Sequence, residues 1–226
     1  RDPEMSRGLG DVYKRQVSQC AYSGTITTSG TGAFINLGGI VGIADTISNC
    51  TTSGAINMAG GRMENVGGIA GRVYSSTTNC ISNMSITLNS NANKYGISNI
   101  QYVGGLVGNG VTITNCTTNG TITASASNSF DSYYAQINYV GGLVGTAYTI
   151  SSSSASGAIN IKSGKSAQYV GGIAGYLRNG VNKSYSTMNI SVTPEGQNIG
   201  GLAGYGYSTT INQCYSTGNV TAANSS

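Results

Sequence analysis

The most reactive side chains in this sequence are five cysteines, which an oxidising exterior could pair as disulfides. They are Cys20, Cys50, Cys80, Cys116 and Cys214. All five occupy the same place in a recurring phrase, and Ser153 and Ser184 take that place in two other copies. A position that accepts either Cys or Ser favours a small side chain in a tight interior, where free cysteine behaves as a small hydrophobe. We therefore predict unpaired structural thiols.

The alternative is a disulfide between neighbouring copies of the phrase, such as Cys50 with Cys80. Adjacent strands would bring two such residues to roughly 4.8 Å. Side chains in parallel register point the same way, however, and seldom reach the torsion angles of a disulfide.

Catalytic groups are scarce. The chain has no histidine, which excludes a Ser-His-Asp triad, a Cys-His pair and the zinc-peptidase helix motif. Outside the first 16 residues the carboxylates are Asp45, Glu64, Asp131 and Glu195. Glu64 and Glu195 share a region of their repeats, but four coils would separate them by roughly 19 Å, which is beyond glycosidase spacing. Asp also lacks the regular phase of a calcium-binding repeat. We expect surface charge, and predict no enzyme, no catalytic residue, no metal site and no cofactor.

Three tyrosines are the candidate ligand-binding residues. Tyr102, Tyr139 and Tyr169 each precede Val-Gly-Gly in three consecutive repeats, so they should stack on one face. An exposed aromatic row can hold sugar rings or a partner protein. The competing interpretation is a purely stabilising ladder of like neighbours.

These residues are positioned by a glycine phrase that occurs six times, reading apolar, Gly, Gly, Ile or Leu, Val or Ala, Gly. Its first glycines stand at positions 38, 67, 104, 141, 171 and 200, so the steps are 29, 37, 37, 30 and 29 residues. Periods in this range indicate a stacked repeat architecture. We expect the glycine phrase to form a strand in each repeat.

A second phrase recurs between the glycine phrases. It begins at the Cys or Ser position and carries Ile at its seventh place in six copies, with Val220 in the last. Polar residues flank that Ile and apolar ones mostly lie two places on, as in Ser85-Ile86-Thr87-Leu88. This alternation predicts a strand with one buried face. The extra residues of the two long repeats are polar and lie within 89–102 and 125–139, which we expect to be loops at one edge.

One repeat cannot bury its apolar face alone, so the repeats must stack. The sequence predicts an all-β, parallel β-solenoid of about six to seven coils, roughly 30 Å long, with the Ile column in its core. Right-handed and left-handed coiling fit the pattern equally.

Residues 1–16 stand outside the repeats. Asp11-Val12-Tyr13-Lys14-Arg15-Gln16 resembles the translation of a transposase adapter used for sequencing libraries, so we expect 1–16 to be a non-native segment of a metagenomic fragment; a native charged arm is the alternative. Removing residues 1–16 leaves 11 minus 4 basic and 7 minus 3 acidic residues, which gives a net charge of about +3. These charges are scattered, which argues against nucleic acid, and no run predicts a transmembrane helix. Neither end of 17–226 resembles a polar cap, so we expect a fragment of a longer array.

The repeats resemble the GLUG motif. The resemblance is carried by Gly105-Leu106-Val107-Gly108 and Gly142-Leu143-Val144-Gly145, followed by Cys116-Thr117-Thr118-Asn119-Gly120 and by 214–220. It implies a large bacterial surface or secreted protein, either adhesin-like or the non-catalytic region of an immunoglobulin A-specific metallopeptidase. We expect an extracellular, non-enzymatic stalk, spacer or scaffold that binds a surface protein or glycan. The alternative is an accessory segment of a secreted peptidase or glycan-degrading enzyme.

Overall fold

The computed structural model describes residues 15–91, 98–127, 135–164 and 166–223, and within them the chain is all-β. Its strands form three parallel sheets of nine, nine and six strands. We call them sheets A, B and C. The chain visits A, B and C in turn, and one such circuit is a coil.

The strands are listed here coil by coil. The first two coils consist of β1 (Gln16–Ser18), β2 (Ala21–Ser29) and β3 (Phe34–Gly38), then β4 (Val41–Ser48), β5 (Thr51–Gly60) and β6 (Arg62–Gly67). The third and fourth consist of β7 (Ala70–Thr78), β8 (Ile81–Asn91) and β9 (Ser98–Gly104), then β10 (Val107–Asn109), β11 (Thr112–Thr114), β12 (Thr117–Ser127) and β13 (Ala135–Gly141). The fifth and sixth consist of β14 (Val144–Ser151), β15 (Ser154–Ser163) and β16 (Ser166–Gly171), then β17 (Ala174–Asn182), β18 (Tyr185–Ser186), β19 (Asn189–Thr193) and β20 (Gly196–Gly200). The seventh consists of β21 (Ala203–Gly206), β22 (Thr210–Asn212), β23 (Tyr215–Ser216) and β24 (Val220–Ala222).

The sequence repeats superpose in register. The first glycines of the six phrases pair in series from Gly38 to Gly200. The residues at the seventh place of the second phrase pair with one another between adjacent coils, from Ile26 to Val220. The predicted β-solenoid of six to seven coils is therefore confirmed.

The core lies between the three sheets and follows the predicted alternation. In β8 every second residue is buried from Ser82 to Ser90. The Ile column is fully buried from Ile56 to Ile190, and Met58, Leu88, Ile161 and Val192 beside it are buried too. The column is half-buried at Ile26 and exposed at Val220, because each end coil has a neighbour on one side only.

The glycine phrase does not form a strand, contrary to expectation. Its first glycine ends a sheet C strand, the next two residues bend, and the third residue after that first glycine begins a sheet A strand. A Cβ on Gly105 would overlap the carbonyl oxygen of Gly142 in the next coil, and one on Gly104 would overlap that of Val107. The phrase is thus a tight corner between sheets C and A, and each of the first six coils crosses three sheets rather than two.

A second corner joins sheets A and B at the residue before each Cys or Ser. Asn49, Asn79 and Asn115 stand there with φ of 52 to 54°, a left-handed conformation that Asn tolerates well. Their amides form a ladder, in which Asn79 Nδ2 donates to Asn49 Oδ1 at 3.3 Å and Asn115 Nδ2 donates to Asn79 Oδ1 at 2.7 Å. This corner aims the next side chain into the core.

The insertions extend the strands. Residues 89–91 and 98–102 belong to β8 and β9, and residues 125–127 and 135–139 belong to β12 and β13. The prediction that 89–102 and 125–139 are loops is wrong for these parts, because their polar residues continue the in-register pairing of sheets B and C. The remaining parts, 92–97 and 128–134, lie outside the described residues, as does 1–14 of the expected non-native segment.

Candidate functional site

The cysteine column packs as the sequence predicts. All five cysteines are unpaired; Cys50, Cys80 and Cys116 are buried, whereas Cys20 and Cys214 are half-buried. The backbone N–H of Cys50 donates to Cys80 Sγ at 3.5 Å, and that of Cys116 donates to Ser153 Oγ at 3.1 Å. A sulfur or hydroxyl at this place accepts a backbone hydrogen bond from the adjacent coil, which explains why Cys and Ser interchange.

The titration of the inner thiols follows from their neighbours. Burial raises the pKa of Cys50. The hydrogen bond between Cys80 and Cys116 lowers the pKa of Cys80 to about 7 and, together with burial, raises that of Cys116. None of these sulfurs lies in a cleft that a substrate could enter, because the three residues are at most 1% exposed.

The carboxylates are dispersed. Glu64 pairs with Arg62, and Asp45 Oδ2 accepts a hydrogen bond from the backbone N–H of Arg15 at 2.8 Å. Glu195 lies immediately before β20, and its backbone carbonyl oxygen accepts a hydrogen bond from Ala167 N–H at 2.9 Å. It does not share a column with Glu64, because the residue of β20 that aligns with Glu64 in sheet C is Gln197. Asp131 lies outside the described residues. The structure therefore brings no two of the described carboxylates together.

The three predicted tyrosines do stack. The ring centroids of Tyr102 and Tyr139 are 4.9 Å apart with planes 10° from parallel, and those of Tyr139 and Tyr169 are 5.0 Å apart at 13°. Each ring is half-buried. Burial, followed by the neighbouring phenols of Tyr102, Tyr169 and Tyr176, raises the pKa of Tyr139. The central ring has a tyrosine on both faces and presents its edge to solvent.

These tyrosines occupy an unusual backbone conformation. Tyr102, Tyr139 and Tyr169 have φ of 56 to 59°, and the same column holds Asn36, Asn65 and Asn198 in the other coils. Asn is comfortable in this region, whereas a bulky side chain costs about 1–2 kcal/mol there. The ring stack offsets that cost.

A second aromatic row faces the first across the glycine corner. Tyr176 and Tyr205 follow the last glycine of their phrases on sheet A, and their rings stack at 5.4 Å. Tyr176 meets Tyr139 and Tyr169 edge-on at 6.1 Å, and Tyr205 meets Tyr169 at 5.6 Å. Sequence reasoning missed this row, although its fixed place directly after the glycine phrase could have revealed it.

Tyr102 and Tyr139 of the first row and Tyr176 of the second border a groove of about 420 Å³, which runs along the solenoid axis across four coils. In sheet A the column after the glycine phrase reads Ile43, Arg72, Asn109, Thr146, Tyr176 and Tyr205. Its middle members, Asn109 and Thr146, are the smallest, so space opens above them. They line the groove together with Tyr102 and Tyr139.

An arginine stands at each end of this groove. The Arg72 guanidinium lies 4.8 Å from the centre of the Tyr74 ring, and that of Arg178 lies 5.0 Å from the Tyr148 ring. Arg178 also donates to the Tyr148 hydroxyl at 2.8 Å. Within 15–91, 98–127, 135–164 and 166–223, neither arginine has a carboxylate partner.

Comparisons with known proteins identify one segment. Residues 195–221 match the GLUG motif, and this segment covers β20, the last glycine corner and the seventh coil up to residue 221. None of the curated proteins and none of the solved structures that were compared matches the chain. Across the part of the chain that the structure describes, no helix is long and apolar enough to cross a membrane. The chain is thus a GLUG-containing protein built as a parallel β-solenoid.

Proposed function

We propose that this chain is a non-enzymatic repeat module of a large bacterial surface or secreted protein, an adhesin-like scaffold that displays the tyrosine groove to a partner. The observation that carries the proposal is the origin of the groove: residues of four successive coils form it. The stacking that builds the rod therefore also builds the recognition surface. The match to a bacterial repeat motif supports an extended module, and the lack of histidine supports a role without catalysis.

The strained backbone at the tyrosines supports a role in recognition. The first, second and sixth coils hold Asn at this position without strain, so folding alone does not call for Tyr. Strain of this kind concentrates at functional sites. A surface selected for binding gives a reason to keep it.

Adhesion of protein-coated beads tests this proposal. Beads carrying the full chain are washed over surfaces coated with extracellular-matrix protein, mucin or bacterial cell-wall polysaccharide. We expect retention on at least one surface, without release of peptide or sugar. Tyr102, Tyr139 and Tyr169 are replaced together by Asn, the residue that the column carries elsewhere, and this variant should lose retention.

The matched control removes a tyrosine stack from another face. Tyr185 and Tyr215 stack at 5.0 Å on sheet B, so Tyr185→Asn with Tyr215→Asn should leave retention unchanged. Retention on none of the surfaces, or equal retention of the groove variant, would contradict the proposal. Release of product would contradict the non-enzymatic role.

A further inference from the structure

We propose that the tyrosine groove binds an acidic oligosaccharide, with Arg72 and Arg178 each receiving an anionic group of the ligand. This inference rests on the proposed function, because it names the class of partner that the displayed groove takes. Three features carry it: the two arginines, the direction of the groove, and the side chains between its ends.

The arginines give the groove its charge preference. Both guanidinium groups lie over tyrosine rings and have no ion pair among the described residues. A guanidinium stacked on a ring keeps its N–H donors in a plane, where they can bind a carboxylate or sulfate in bidentate fashion. Arg178 spends one donor on Tyr148 and retains others. The net charge of about +3 outside residues 1–16 also favours an anionic ligand.

The spacing of the arginines sets the size of the ligand. Arg72 lies three coils before Tyr176 in the same column, and Arg178 is two residues beyond Tyr176 on the same strand. Three strand spacings separate the two backbones by roughly 14 Å, and the Arg178 guanidinium lies over the Tyr148 ring, one coil nearer to Arg72. A ligand that reaches both arginines must therefore be a short oligomer with charges near both ends, rather than a single sugar or a single phosphate.

The direction of the groove favours a sugar chain over a peptide. Extended peptides gain much of their affinity by pairing with the free edge of a sheet. This groove runs along the axis and crosses strands that already pair with the coils on either side. A ligand lying there meets mainly side chains, so peptide backbone groups would lose water without gaining sheet hydrogen bonds.

The side chains between the arginines suit hydroxyl-bearing rings. Thr146 Oγ1 lies 3.1 Å from Asn109 Oδ1 and hydrogen-bonds to it, and the pair offers further donors and acceptors. Tyr102 and Tyr139 present phenol groups at about the spacing of successive coils. Tyr139 is stacked on both faces, so it contributes its edge and hydroxyl. Tyr102 has a stacked ring on one face only among the residues that the structure describes. Such a row of polar groups on aromatic bodies matches the alternating polar and apolar surface of a pyranose chain.

Calorimetry with defined probes tests the inference on the full chain. We expect hexagalacturonate to bind and to weaken as salt is raised, and we expect cellohexaose and hexaglutamate to bind at least tenfold more weakly. Arg72→Gln and Arg178→Gln should each weaken hexagalacturonate binding about tenfold, as expected for a lost charge-assisted hydrogen bond. As a control for net charge, Lys162→Gln with Lys183→Gln removes two exposed cations outside the groove, one more than either arginine variant, and should leave binding unchanged.

Several results would overturn the inference: no binding of hexagalacturonate, equal binding of cellohexaose, equal or tighter binding of hexaglutamate, or an equal loss in the lysine control. The bead assay separates this failure from failure of the proposed function. If the beads still adhere through the tyrosines while the arginine variants behave as wild type, the ligand class is wrong and the display role stands. If the beads adhere to nothing, the display role is wrong as well.

Discussion

Cysteine chemistry in this chain is decided by position along one column. The hydrogen bond from Cys116 favours the Cys80 thiolate, which would make Cys80 a reactive nucleophile in an open site. Cys80 is nevertheless completely buried, as are the cysteines of the adjacent coils. Exposure to the reagent therefore matters more than the pKa of the thiol, and the half-buried cysteines of the end coils, Cys20 and Cys214, should be the reactive ones.

Thiol labelling checks this expectation. With a disulfide reagent at neutral pH, we expect two thiols of the native chain, Cys20 and Cys214, to react readily, and all five to react in denaturant. Cys20→Ser with Cys214→Ser should remove the native reaction, and Ser fits because it already fills the column at Ser153 and Ser184. Rapid native labelling of Cys80, or a Cys50–Cys80 disulfide in the unreduced protein, would contradict it.

Half of the aromatic site could be predicted from the residues themselves. The same position before the glycine phrase is occupied by Tyr102, Tyr139 and Tyr169. Residues at the same position of stacked coils lie next to each other, so contact between the three rings could be predicted. Arg72 and Tyr176 were missed because the phrase was interpreted as one flat strand, in which residues before and after it would not face each other. The sharp bend at the two glycines makes them neighbours, and a strand pattern alone does not predict a bend.

At the scale of elements, the glycine corner governs how closely coils approach. The second glycine of each phrase packs against the backbone of the same glycine in the next coil, from Gly39 through Gly172. The backbone N–H of Gly105 donates to the Gly142 oxygen at 3.1 Å, and that of Leu106 donates to the Leu143 oxygen at 2.9 Å. A side chain at Gly105 would have to break these bonds to make room.

Gly105→Ala should therefore lower the free energy of unfolding by about 3 kcal/mol, the upper range for overpacking a tight interior. Gly32→Ala is the matched control, since a Cβ there meets nothing within 4 Å, and its effect should stay within about 0.5 kcal/mol. Urea unfolding followed by circular dichroism measures both. Equal effects of the two substitutions would show that the corner is not sterically closed.

The strands of sheet B were the most predictable elements, and the corners the least. Alternation around Ile86 and Ile122 identifies a half-buried strand wherever it occurs. The number of sheets depends on where the chain bends between such strands. Here the bends occur at glycines and at left-handed Asn residues, and both residue types also occur in strands and loops, so their presence alone does not predict a bend. The sequence therefore predicts two strands in each repeat, whereas the chain forms three sheets.

At the scale of the whole molecule, protection should rise toward the middle of the stack. Each strand of an inner coil pairs on both sides, and its apolar residues are covered above and below; Ile122 is 1% exposed. Val220, the last member of the same column, is 43% exposed. Stability in such stacks is approximately a sum of coil terms and interface terms, so a coil with one interface opens more easily.

Hydrogen exchange with mass spectrometry measures this gradient. We expect amides of β8, β12 and β15 to exchange at least about tenfold more slowly than those of β23 and β24, a ratio that corresponds to only about 1.4 kcal/mol of local opening free energy. Ile122→Ala, which creates a cavity worth about 2–5 kcal/mol, should accelerate exchange in the coils on both sides. Uniform protection from end to end would contradict an array of separable coils.

The left-handed site shared by Asn and Tyr has a consequence for how this protein could diversify. Because Asn36, Asn65 and Asn198 adopt the same φ as the three tyrosines, exchanging one residue type for the other leaves the pairing of the chain unaltered. Ligand preference could then change by single substitutions at the end of an existing stack, because a tyrosine added beside a tyrosine gains the ring contact that offsets its backbone strain. A lineage of such proteins would retain its framework while its binding surface evolves independently.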